Sequence, residues 1–302
     1  RMDEPEKKVI TLEPLPGMQR EVLSSPAYEL LMGGQAGPGK TWSLLFEDIP
    51  DLLNPELKRL RVFYFRRKYI DLGDLIDKAA DMWIPLGAKY TAADSGFGKK
   101  TTFTWPSGAK CVLSHMANEN DKFSWQGFEC QRLRFDELTH FTEGQYLYLF
   151  SRVRFPKGVA FPPGFQCNIR SSCNPQGDGK LWVKRRFIDK LQPGEIRWFI
   201  RDMEGRDIEV PPGTPQALSR TWIPGDRAEN TYLGEEYEAT LRAMPRKDYL
   251  ALSLGIWDED DTPNQMIETK WWNRAVQGGD PEAQRLSISP VSSQRYAIGA
   301  DY

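Results

Sequence analysis

The eight residues Gly34-Gln35-Ala36-Gly37-Pro38-Gly39-Lys40-Thr41 constrain this chain more than any others. They fit G-x-x-x-x-G-K-[ST], the pattern of a phosphate-binding loop. The pattern is short, so its flanks decide. Before it, residues 28–32 (YELLM) form an apolar run suited to a buried strand. After it, residues 40–53 carry Leu44, Leu45 and Ile49 at helical spacing. A strand, a glycine-rich turn and a helix, in that order, let backbone N–H groups converge on phosphate oxygens at the positive end of the helix dipole. Gly34 to Thr41 are therefore the expected nucleotide-binding segment. Lys40 would neutralise charge on the β- and γ-phosphates, and the Thr41 hydroxyl would ligate Mg²⁺. The plain alternative is a flexible turn with a solvated lysine.

Hydrolysis needs acids that the loop lacks. Residues 132–141 (RLRFDELTHF) supply two, at the end of a strand-like run. Asp136 suits Mg²⁺, held through water, and Glu137 suits a general base that polarises the attacking water. Consecutive residues of a strand point opposite ways, so both acids face one cleft only if the chain turns there. An acidic helix-cap pair is the bland reading. Gln19, just before the first strand, has an amide that matches the adenine edge and would favour ATP over GTP; a surface glutamine is the ordinary case. Residues 171–175 (SSCNP) follow another strand end. Their hydroxyls and amide suit a γ-phosphate sensor, unless they are only a turn. Arg152 and Arg154 end a helix, where they either stabilise transferring phosphate, in this subunit or a neighbour, or complement the helix dipole. His115 and His140 have no metal-ligand partners at useful spacing and read as surface or packing histidines.

The rest of the chain alternates. Residues 61–65 (RVFYF) read as a central strand, 69–83 as an amphipathic helix, 101–115 as two strands about a Pro-Ser-Gly turn, and 166–172 as a further strand. Thr142-Glu143-Gly144-Gln145 matches a capping box that starts a helix. Strands alternating with helices predict an α/β sheet covered on both faces. After about residue 220 the pattern changes to two short helices, at 230–244 and 246–255. With 302 residues, 40% of them hydrophobic, the chain can bury one large core or two smaller ones. Its 40 Lys and Arg against 42 Asp and Glu give no global pull toward nucleic acid, so any such contact must be local. FYFRRK (63–68) and WVKRRF (182–187) interleave rings with cations and suit a DNA backbone, or are simply basic element ends. Four scattered cysteines argue against zinc and for reduced intracellular thiols. No stretch has transmembrane length and the N-terminus has no signal-peptide core, so a soluble, cytoplasmic-type chain without membrane contact is expected.

Taken in order, Gln19, the loop at 34–41, FRR at 65–67, FDELTHFTEGQYLYLFSRVR at 135–154, SSCNP at 171–175, WVKRRFI at 182–188 and LSLGIWD at 252–258 resemble the large terminase subunit of tailed double-stranded-DNA bacteriophages. The resemblance spans roughly residues 14–302. It implies a P-loop ATPase of the additional-strand class, with a mostly parallel central sheet and a small helical lid. It further implies ATP and Mg²⁺ as cofactors, with double-stranded DNA, the portal protein and a small terminase subunit as partners. Such proteins work as a homo-oligomeric ring, usually a pentamer, on the procapsid in the host cytoplasm. By this match Lys40 and Thr41 bind phosphate and Mg²⁺, Asp136 holds Mg²⁺, Glu137 is the base, Gln19 contacts adenine, and Ser171, Ser172 and Asn174 couple hydrolysis to motion. The expected organisation is an arm (1–17), an ATPase core (18–221), a lid (222–258), a linker (259–294) and the first strand (295–302) of an RNase H-like nuclease. Many relatives carry Arg-Gly before the acidic pair, with the arginine acting on a neighbour's ATP. Here Gln126 precedes Gly127, which leaves Arg152 or Arg154 as substitutes. Asp301 matches the first acid that holds the nuclease's divalent metals, but no further nuclease acids follow, so cutting is not expected of these residues alone. Another P-loop DNA translocase or helicase, or a nucleotide-switched capsid-docking module, are the competing readings.

Overall fold

In the computed structural model, which describes residues 11–95 and 98–258, helix α1 (Met18–Ser24) leads into strand β1 (Glu29–Gly34), every residue of which is buried. The phosphate loop follows, and α2 (Lys40–Phe46) starts on its Lys-Thr pair. The single helix expected over 40–53 is two: α3 (Ile49–Leu53) begins afresh with Pro50 in its first turn. Proline has no N–H to continue the ladder of α2. Next come β2 (Arg61–Arg66), α4 (Tyr69–Trp83), β3 (Lys89–Ser95), β4 (Gly98–Thr104), β5 (Lys110–His115) and β6 (Arg132–Phe135). Helix α5 (Glu143–Phe150) is capped as its sequence predicts: the Thr142 hydroxyl accepts from Gln145 N at 3.0 Å, and Thr142 N donates to Gln145 Oε1 at 3.3 Å. Then follow β7 (Asn168–Ser172), α6 (Lys180–Val183), a π-helical turn to Ile188, β8 (Arg197–Arg201), β9 (Asp207–Val210), β10 (Leu218–Gly225), α7 (Glu235–Arg242) and α8 (Arg246–Leu254).

The described strands form one sheet in the order β3-β4-β5-β2-β6-β7-β1-β10-β8-β9. From β5 to β10 all neighbours are parallel; β3 and β4 on one edge, and β8 and β9 on the other, are antiparallel. Strand β7 lies between the loop strand β1 and the acid strand β6, which is the additional strand of the expected class. Because these three run parallel, their C-terminal ends share one edge, where crossover folds leave a crevice. Gly34, Phe135 and Ser172 therefore bring the loop, the acidic pair and the SSCNP turn side by side.

Helices cover both faces. Leu31, Phe63, Phe65, Leu133, Phe135 and Ile169 pack against Tyr146, Leu149, Trp182 and Phe187 on one. Val62, Tyr64, Cys111 and Leu113 meet Leu45, Leu72, Leu75 and Trp83 on the other, with Leu30 and Met32 against Met18 and Leu44 beside them. That second face also buries Arg132, Arg134 and Arg170, which grip Glu47 and Asp48 just beyond α2. The helix that begins at the loop is thus anchored to the sheet at its far end.

Three expectations on organisation change. Residues 11–17 are not a loose arm: Leu12 packs against the core, and Met18 N donates to the Glu229 carboxylate at 2.9 Å. The core–lid boundary at 221/222 falls inside β10, which pairs with β1 through Gly225, so residues 222–225 belong to the sheet. The basic-aromatic runs are largely internal. Trp182 and Phe187 are core residues, and Arg186 is buried against Glu29 and Asp207, where WVKRRF suggested a DNA-facing patch. Residues 1–10, the linker 259–294, the strand 295–302 and Asp301 lie outside the described residues. No helix among the described residues is long and apolar enough to cross a membrane.

Candidate functional site

The loop connecting β1 to α2 turns through glycines that no other residue replaces without strain. Gly37 (φ +101°) and Gly39 (φ +88°) are left-handed; a Cβ would stand 2.6 Å from Leu233 Cδ1 at the first and 2.5 Å from Gln19 Nε2 at the second. The first-turn N–H groups of α2 have no partner inside the helix. A cleft of about 740 Å³ opens beside the loop. It is lined by residues 36–42, Arg66, Asp74, Asp136, Glu137, Ser172, Cys173 and Asn174, with Tyr237 from α7.

Inside this cleft the separate sequence motifs touch. Lys40 Nζ donates to Asn174 Oδ1 at 2.8 Å and to the Gln35 carbonyl. Burial pushes the Lys40 ammonium down to about 8, so an anion here would restore the charge that desolvation opposes. The Thr41 hydroxyl donates to Asp136 Oδ1 at 3.0 Å, and the Ser172 hydroxyl donates to the same oxygen. Asp136 Oδ2 accepts from Arg66 Nε at 2.8 Å and Nη2 at 2.6 Å. Glu137 takes a left-handed backbone (φ 62°, ψ 56°), and this kink turns both acids into the cleft. Its N–H donates to Ser172 Oγ at 3.3 Å. Its Oε2 lies 3.0 Å from His140 Nδ1. That hydrogen bond holds the Glu137 carboxyl below the usual carboxylate range and raises the imidazole above its own.

The segment expected as a lid meets the loop directly. Ala36 N donates to the Leu252 carbonyl at 2.7 Å, Arg227 N to Gln35 Oε1 at 2.9 Å, and Asn230 Nδ2 to the Gly37 carbonyl at 2.6 Å. A Cβ on Gly255 would stand 3.0 Å from Gln35 N and Gly34 Cα, so the G-x-W turn rests on the loop's backbone. Gln176 joins the SSCNP turn to α8 through Asp248, at 2.7 Å.

Four expected site residues stand elsewhere or otherwise engaged. Ser171 and Ile169 share the face of β7 opposite the cleft, so Ser172 alone of the two serines reaches Asp136. Gln19 sits against the loop, but its Nε2 donates to Pro38 O at 3.1 Å and its Oε1 accepts from Leu15 N at 2.9 Å. Arg152 and Arg154 flank the chain that pairs with Cys130, ahead of β6. That is the N-terminal edge of the parallel strands, opposite the loop, so neither reaches this subunit's own cleft. Arg154 pairs with Glu129, and Arg152 lies over the Tyr148 ring. Sequence reasoning missed Arg66, whose one signal was its place in FRR at a strand end. It also missed His140, which no spacing rule marks.

Hydroxyl, carboxylate, ammonium and guanidinium groups thus converge where a helix begins. The arrangement can hold a phosphate chain and a hard cation, with a carboxylate poised beside them. No protein-family model and no curated protein matches the sequence. Among solved structures, the large terminase from the thermophilic bacteriophage D6E superposes with a TM-score of 0.53 at 18% identity, over 83% of this chain and 57% of that one. The same terminase in complex with ATP-γ-S gives 0.53 at 18%, over 81% and 53%. In complex with ADP it gives 0.51 at 17%, over 81% and 54%. The chain has the fold of these phage large terminases and spans a little over half their length.

Proposed function

We propose that this chain is the ATP-hydrolysing motor part of a viral DNA-packaging terminase. The observation that carries the reading is the meeting of Lys40 with Asn174, and of Thr41 with Asp136 and Ser172, in one cleft at the loop. The fold shared with a terminase whose structures carry ADP and ATP-γ-S supports it.

ATP places its phosphates along residues 34–41, and Lys40 exchanges Asn174 for phosphate oxygen. Thr41 and Asp136 fit Mg²⁺. Their hydroxyl and carboxylate oxygens, 3.0 Å apart, are hard donors of the kind that Mg²⁺ would take. Bound there, Mg²⁺ supplies charge neutralisation of the β- and γ-phosphates. Glu137 accepts a proton from the attacking water as general base. Ser172 and Asn174 register the loss of γ-phosphate, since one holds Asp136 and the other Lys40. The residues of 226–258 that grip the loop receive the change. An adenine contact by Gln19 would require its two backbone bonds to open; as it stands, it braces Pro38 and Gly39. Arg152 and Arg154, on the far edge, act on phosphate only in a neighbouring subunit. The motor works as a ring, a pentamer by resemblance, on the portal of a procapsid in the host cytoplasm. A small terminase subunit delivers double-stranded DNA to it. Nuclease chemistry with its own divalent metals belongs to a longer protein.

The test is phosphate release from ATP and Mg²⁺, with and without duplex DNA. The wild type turns over and duplex DNA accelerates it. Glu137→Gln binds ATP with unchanged Kd but turns over roughly 100-fold or more slowly. Normal turnover in that variant defeats the base assignment. Strand separation on a forked duplex would point instead to a helicase.

A further inference from the structure

Among the described residues only Glu137 and Gln216 are left-handed without being glycine. Such a backbone is strained for a residue that carries a side chain, so the surrounding structure must hold it in place. Around Glu137 that hold comes from Ser172, whose hydroxyl accepts from Glu137 N, and from His140. The carboxylate only accepts, so His140 Nδ1, 3.0 Å from Glu137 Oε2, carries the hydrogen. His140 N also donates to Glu137 O at 2.9 Å, closing the turn.

The imidazole, 38% exposed, is backed on one side. Gly177 (φ +99°) passes so close that a Cβ would stand 2.7 Å from His140 Cδ2 and 2.7 Å from Thr139 O. Gly179 N donates to Thr139 O at 2.7 Å, and the Thr139 hydroxyl donates to Asn174 O at 3.0 Å. The turn that walls in the ring is therefore the turn whose Asn174 side chain meets Lys40. His140 itself does not line the cleft, whereas Glu137 does.

We propose that His140 is a positioning residue for hydrolysis: its Nδ1–H ties one oxygen of Glu137 and leaves the other to face the attacking water. The inference rests on Glu137 being the base. The 174–179 turn backs the ring, so the lysine's partner and the base's partner belong to one hydrogen-bonded turn. Without the donor the carboxylate samples rotamers in which neither oxygen meets the water.

Two variants separate positioning from packing. His140→Phe keeps a ring against Gly177 and removes the donor; His140→Asn returns an N–H near the place of Nδ1. His140→Phe is expected to lower kcat roughly 10- to 100-fold with nucleotide Kd and Tm unchanged, and His140→Asn to recover most of it. The chain has two histidines, so imidazole ¹⁵N spectra assign His140 directly. Its Nδ1 signal should read as protonated in the wild type and shift in Glu137→Gln. Wild-type turnover that His140→Phe matches or exceeds overturns the proposal and leaves the hydrolase reading intact. So does an equal loss in both variants, or an Nδ1 signal blind to Glu137→Gln. A wild type that binds ATP without hydrolysing it defeats the hydrolase reading, and this one with it.

Discussion

Asp48, just beyond α2, and Asp136, at the end of β6, are buried carboxylates gripped in nearly the same way. Asp48 accepts from Arg134 Nε at 2.9 Å and Nη2 at 2.6 Å, with Arg132 at 2.9 Å and the Tyr64 hydroxyl at 2.7 Å. Asp136 accepts from Arg66 Nε at 2.8 Å and Nη2 at 2.6 Å, with the hydroxyls of Thr41 and Ser172. What differs is what lies behind the donors. Arg134 is 0% exposed and sealed between the sheet and the start of α3, so its grip cannot be exchanged. Arg66 and Thr41 line the cleft, and Arg66 also reaches Asp74, whose side chain is 53% exposed. A forked arginine on a carboxylate is scaffold where it is closed in. Where its donors open onto a cleft, it is a set of bonds that a ligand can replace.

Stability measurements test this contrast. The largest effect belongs to Asp48→Ala, which leaves Arg134 and Arg132 buried without their shared counter-charge. It should cost about 3–5 kcal/mol, read as a lower urea midpoint at constant slope. A loss under about 1 kcal/mol would mean that the cluster is not scaffold. Glu29 is a second sealed carboxylate, held by Arg186, Arg220 and the Tyr146 hydroxyl. Burial opposes its charge, but Arg186 and Arg220 outweigh burial and bring its pKa to about 2. A depressed carboxyl contributes stability that is complete above its unfolded value near 4.5 and is lost as pH falls toward 2. Unfolding free energy should therefore drop by ~3 kcal/mol across that window. Glu29→Gln should remove that part of the slope; an unchanged slope would contradict the assignment.

The site was far more legible in the sequence than its support. The loop, its strand and its helix follow from local patterns, as do Asp136, Glu137 and the cap at Thr142. Each depends on neighbours a few residues away. Arg132 and Arg134 alternate with Leu133 and Phe135 along β6, and nothing local marks them as buried. Their partner Asp48 is more than eighty residues distant, and only the tertiary fold turns that side inward. His140 reads in the sequence as a surface or packing histidine for the opposite reason: its contact with Glu137 depends on one unusual backbone angle, which no pattern announces. Arg152 and Arg154 sit in the right motif, but the direction of β6 puts them at the wrong end of the sheet for their own cleft. Strand β10 runs past the expected domain boundary because its pairing with β1 continues to Gly225, a long-range contact that composition does not express.

The smallest change in stability and a full loss of activity should coincide at Asp136. Asp136→Asn keeps an oxygen for Thr41 and Ser172 to meet, and Arg66 keeps Asp74 and the open cleft, so unfolding should shift by well under the roughly 3–5 kcal/mol of Asp48→Ala. Turnover should fall at least ~100-fold, because the carboxylate that answers Thr41 and Ser172, and that is proposed to hold Mg²⁺, is gone. The decisive measurement takes unfolding free energy and ATP-driven phosphate release on the same preparation of Asp136→Asn, beside the wild type. Near-native stability with turnover abolished is the predicted result. A variant that unfolds as readily as Asp48→Ala, or one that keeps wild-type turnover, would contradict the claim that this aspartate belongs to a working site and Asp48 to the frame that carries it.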